Sequence, residues 1–88
     1  MQVRLSVAAR NDYRKIATYL DEHCPAVTDR ILDTLKFNLD RLQDHPMAGN
    51  KVGRYRKIQV VGTPYVVYYL LTTRELLVAR IFHEKQKR

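Results

Sequence analysis

The chain has 88 residues, 45% hydrophobic and 28% charged, with a formal net charge of +7 and one cysteine. That length suits one domain, residues 1–88, with no second core; the composition is that of a folded chain, and a lone Cys24 excludes a disulfide-stapled module. The longest apolar run, Tyr65 to Leu71, is far below the roughly 20 residues a spanning helix needs, and no signal-like stretch opens the chain, so a cytoplasmic protein with no membrane attachment is expected.

Gln2 to Leu5 reads as a short first strand with Val3 and Leu5 on one face. Ser6 suits an N-cap, and Ala9, Tyr13, Ile16, Ala17 and Leu20 then recur at helical spacing. Arg10, Asp12, Arg14, Lys15 and Asp21 fall mostly off that stripe. Pro25 ends the first helix and suits the opening turn of the second. The second helix is predicted from about Ala26 to Asp44, with Ile31, Leu32, Leu35, Leu39 and Leu42 as its stripe, until His45-Pro46 stops it.

Met47 to Gly53 reads as a loop with flexible points at Gly49 and Gly53. Strands follow at Arg54–Val61, Tyr65–Leu71 and Leu76–His83, joined by short turns that force antiparallel pairing. The expected order is β-α-α-β-β-β: an α+β fold in which a helical hairpin packs on a mainly antiparallel sheet.

The charge is unevenly placed along this order. Residues 51–88 hold nine Lys and Arg against two acids, Glu75 and Glu84, which gives +7, while residues 1–50 balance seven against seven. A neutral helical layer under a cationic sheet suits an acidic partner. Tyr55, Tyr65, Tyr68 and Tyr69 are interleaved with these cations, a pattern that suits base stacking or a protein interface and equally a core with wet hydroxyls.

Several segments carry a family resemblance. Leu5-Ser6-x-x-Ala9-x-x-Asp12 followed by Ile16-x-x-Tyr19-Leu20 resembles the first helix of the RelE/ParE superfamily of bacterial toxins. Leu42-x-x-x-Pro46-x-x-Gly49 resembles the close of its second helix. Gly62 to Tyr69 and Val78-x-Arg80-Ile81-Phe82-His83 resemble its last two strands, most closely in the ParE branch. The resemblance implies the toxin of a type II toxin–antitoxin pair, held inactive by a cognate antitoxin. In the ParE branch it implies DNA gyrase as target; in the RelE branch, messenger-RNA cleavage on the ribosome.

Metal-free RNA cleavage needs a base for the 2′-hydroxyl, an acid for the leaving oxygen and cations for the phosphorane. Cations are plentiful, but the terminal tyrosine of many such nucleases is missing, and Tyr65 stands where some carry a catalytic arginine. If the chain is a nuclease, His83 and Arg80 are the catalytic candidates. His23, His45 and His83 lie at the ends of different elements, which excludes zinc-ligand spacing, and no cofactor or metal is expected.

The reading is therefore a ParE-like toxin that acts by binding. Arg54, Arg56, Lys57, Arg80, Lys85, Lys87 and Arg88 are its target-binding candidates, although strand-edge charges also discourage sheet aggregation. Phe37, nearly opposite its helix's apolar stripe, is the candidate antitoxin contact. The alternatives are a ribosome-dependent mRNA endoribonuclease and a small nucleic-acid-binding module without toxicity.

Overall fold

The computed structural model describes residues 1–85, so Lys87 and Arg88 lie outside the described residues. In chain order the elements are β1 (Gln2–Leu5), α1 (Val7–His23), a 3₁₀ turn (Pro25–Val27), α2 (Thr28–Arg41), β2 (Asn50–Val52), β3 (Tyr55–Gln59), β4 (Tyr65–Leu71) and β5 (Glu75–His83). The Ser6 hydroxyl accepts from Ala9 N–H at 3.0 Å, satisfying one of the donors a helix start leaves open, and donates to Ala79 C=O at 2.8 Å. One residue thus starts α1 and fastens it to β5. Pro25 opens the 3₁₀ turn, where its missing N–H costs no helical bond. The predicted second helix is longer than α2: beyond Arg41 the chain tightens into bonds three residues back, Leu42 to Leu39, Gln43 to Asp40 and Asp44 to Arg41.

Both helices pack on one face of a mixed five-stranded sheet in the order β1-β5-β4-β3-β2. The pairs β5-β4, β4-β3 and β3-β2 are antiparallel, as their short links require, whereas β1 runs parallel to β5. The sequence reading of Met47–Gly53 as a loop is corrected by β2, which pairs Asn50, Lys51 and Val52 with Lys57, Arg56 and Tyr55. Gly53, at φ 61°, and Arg54 form the two-residue turn between them. A glycine with positive φ at the first position matches the twist of the flanking strands, so Gly53-Arg54 was a legible hairpin signal.

The core lies between the layers, with Ala9, Ile16, Leu20, Ile31, Leu35, Leu39 and Leu42 from the helical half. Val60, Tyr65, Val67, Tyr69, Leu76, Val78 and Ile81 complete it from the sheet side. Tyr69 is fully buried, and its hydroxyl donates to Pro46 C=O and accepts from Gly49 N–H, both at 2.8 Å. A Cβ at Gly49 would stand 2.8 Å from that hydroxyl and 3.0 Å from Lys57 C=O, so glycine is required by this close approach.

Candidate target-binding face

The layout of functional side chains depends on a break in the β4–β5 ladder. The register runs Leu71↔Leu76, Leu70↔Leu77 and Tyr69↔Val78, then steps to Tyr68↔Arg80, leaving Ala79 as an extra residue. Strict alternation from Leu76 and Val78 would turn Arg80 towards the helices. The bulge reverses the parity, so Arg80 shares the helix-free face with its cross-strand neighbour Tyr68, and Ile81 enters the core instead.

On that open face Lys57, Tyr68 and Arg80 lie side by side in register across β3, β4 and β5. The next row is Gln59, Val66 and Phe82. Tyr68 and Phe82 meet edge to face with centroids 5.7 Å apart, and the Arg80 guanidinium carbon stands 4.6 Å from the Phe82 centroid. The face therefore presents two cations flanking an aromatic platform. Single-stranded nucleic acid and acidic protein surfaces are both complementary to that arrangement.

Arg80 is held by Asp12 from α1. Its Nε donates to Oδ2 at 2.8 Å and its Nη2 to Oδ1 at 3.0 Å, while Ile81 N–H donates to Oδ2 at 2.9 Å. Asp12 is nearly buried, whereas the Arg80 side chain remains 43% exposed. Burial pushes the Asp12 carboxyl upward, but the Arg80 hydrogen bonds, the Ile81 N–H and the charges of Arg80 and Lys15 outweigh it and hold it below the usual carboxylate range. The same hydrogen bonds raise Arg80, against its partial burial.

Placing Asp12 off the apolar stripe of α1 is therefore corrected: it is buried with that stripe. A signal was present, since Ala9, Asp12, Ile16 and Leu20 step by three, four and four residues along one helical face. An acid in one apolar stripe and an arginine in one apolar strand each required a partner.

The other candidates disperse. Arg54 is exposed in the β2–β3 turn. Arg56 lies on the helix side, paired across from Tyr69, and its Nη1 donates to Gly49 C=O at 2.7 Å, so it braces the 46–49 loop. Lys85 is exposed just beyond β5. Phe37 is exposed on α2 with the Arg41 guanidinium 6.0 Å from its ring. His83 falls on the helix side with Tyr65, their rings edge to face at 5.6 Å, and its Nδ1 accepts from Lys85 N–H at 3.1 Å. Among the described residues no cluster of His, Cys, Asp or Glu could hold a metal ion, and no helix is long and apolar enough to cross a membrane.

Comparison with known proteins converges on one family. The model for the ParE toxin of type II toxin-antitoxin system, parDE, matches residues 3–88. Toxin RelE1 of Caulobacter vibrioides is 32% identical over 89 residues, covering 98% of this chain and 96% of that protein. A chain of the chromosomal ParDE TA system from P. aeruginosa has the same fold, with a TM-score of 0.83 over 94% of this chain and 95% of that one at 17% identity. The chain belongs to the ParE toxin family, and a cognate antitoxin is the partner that family implies.

Proposed function

We propose that this toxin acts in the cytoplasm by binding, with DNA gyrase as its target, and that its open sheet face makes the contact. It uses no cofactor. The observation that carries this reading is the separation of His83 from Arg80. They are the two residues that a nuclease would most need together, yet they lie on opposite faces of β5. The Arg80 guanidinium is engaged by Asp12 through two hydrogen bonds. What remains on the open face is a rigid cationic and aromatic platform, suited to an enzyme–DNA assembly. Exposed Arg54 and Lys85 add positive charge to the molecule, and Lys87 and Arg88, outside the described residues, add two more cations in the sequence.

The similarity to a protein named Toxin RelE1 supports a second reading, messenger-RNA cleavage at the ribosome. Induction in cells separates the two. A gyrase poison makes cells filament, mount a DNA-damage response and accumulate cleaved DNA while bulk translation continues. Translation stopping within minutes, with transcripts cut at ribosomal A-site codons, would establish the second reading and overturn the first.

A further inference from the structure

The helix side of the sheet carries an opening that the target-binding face does not use. Between α1 and the far end of the β4–β5 ladder lies a cleft of about 450 Å³. Its floor is apolar: Ile16 of α1, Ile81 of β5 and the ring of Tyr65, all buried. Lys15, Tyr19 and His83 line its mouth. The aromatic walls are braced in place, since Tyr19 stacks on His23 at 4.1 Å and Tyr65 meets His83 edge to face. Such a site loses little freedom when it is filled.

The polar chemistry is one-sided. Among the described residues Asp12 is the only carboxylate lining the cleft, and its oxygens are already taken by Arg80 and by Ile81 N–H. The remaining groups are the Lys15 ammonium, the His83 imidazole, whose Nδ1 accepts from Lys85 N–H, and the phenols of Tyr19 and Tyr65, which can donate hydrogen bonds. On the adjoining surface Glu22 is accompanied by Arg14, so no excess of negative charge builds up at the mouth. Burial, followed by the neighbouring Tyr19 and Cys24, raises the Tyr65 phenol, which therefore stays a protonated donor. An apolar floor beneath donors and a cation suits an anion carried next to an aromatic or large aliphatic group.

We propose that this cleft receives an acidic segment of the antitoxin, seating one aromatic or large aliphatic side chain on Ile16, Tyr65 and Ile81 and a neighbouring carboxylate against Lys15. The inference rests on the antitoxin partnership that the family implies and is independent of the target. It places the anchor away from Phe37, which does not line the cleft.

The test titrates the purified chain with a blocked Glu-Phe-Glu tripeptide while the methyl resonances of Ile16 and Ile81 are followed. Saturable shifts at both are expected. A Gln-Phe-Gln tripeptide should bind roughly three- to fivefold more weakly, and that difference should vanish in Lys15→Gln. Lys15 is exposed at the mouth, so the fold is preserved in Lys15→Gln. Equal binding of the two peptides, or no shift with either, overturns the proposal. Saturation by adenosine monophosphate with no response to the peptides would make the cleft a nucleotide site and overturn it too. In cells, Lys15→Glu should stay toxic but escape its antitoxin. Loss of toxicity in Lys15→Glu with peptide binding intact in the wild type would count against the open face as the target site, not against the cleft.

Discussion

Replacing Asp12 tests how α1, β5 and the target-binding face are joined. In Asp12→Ala, Ile81 N–H loses its acceptor at a site where Ile81 is buried, and an orphaned buried donor costs about 1–3 kcal/mol. Two hydrogen bonds to Arg80 are lost as well, but that side chain is 43% exposed and rehydrates, so the ion pair adds only about 1 kcal/mol. The expected total is about 2–4 kcal/mol, a large share of the about 4–13 kcal/mol typical for a chain of this size. Asp12→Asn retains an oxygen for Ile81 N–H and should cost about 1–2 kcal/mol.

The pH dependence separates charge from shape. The folded-state carboxyl lies below its ordinary value because of Arg80, Ile81 N–H and Lys15, against the upward push of burial. The charged form therefore contributes fully above the unfolded value of about 4 and is lost as pH falls through the lower folded value. Urea unfolding followed by circular dichroism at pH 7 and pH 3 would show the gap between wild type and Asp12→Asn narrowing in acid. A cost for Asp12→Ala below about 0.5 kcal/mol, or a gap that does not change with pH, would refute the reasoning.

Tyr69→Phe removes the bridge between Pro46 and Gly49 and should cost about 1–3 kcal/mol; Gly49→Ala, facing Lys57 C=O as well as the phenol, should cost a similar amount or more, both read as urea midpoints. The buried Thr28 hydroxyl has no partner among the described residues, so Thr28→Val should leave the melting temperature unchanged or raise it, and a clear drop would reveal a missed interaction. Lys57→Glu should weaken toxicity with less than about 1 kcal/mol lost from stability, since Lys57 is exposed on the solvent side of the sheet, whereas Tyr68→Ala should weaken toxicity and also cost about 1–2 kcal/mol through its lost contact with Phe82. A chain truncated after Glu84 should fold normally yet be substantially less toxic, with target binding less dependent on salt than in the intact chain; full toxicity would mark Lys85, Lys87 and Arg88 as a solubilising end.

Much of this fold could be read along the chain because its causes are local. Helical spacing in α1 and α2, the Ser6 cap, Pro25 and His45-Pro46 act within a turn or two, and the short links after Val61 and Leu71 permit only antiparallel neighbours. The excess of positive charge in residues 51–88 was legible in the same way. The site was not, because it depends on how distant segments meet. One unpaired residue, Ala79, decides whether Arg80 faces the helices or the open side. Periodicity is blind to such an insertion, since a bulge is recognised only against the partner strand it disrupts. Asp12 and Arg80 are separated by 68 positions, and each looked anomalous alone. Only the packing of α1 against β5 turns two misplaced charges into one pair. The same packing leaves Arg56 bracing a loop and His83 behind the sheet, so tertiary contacts, not residue type, decide which cations reach a target.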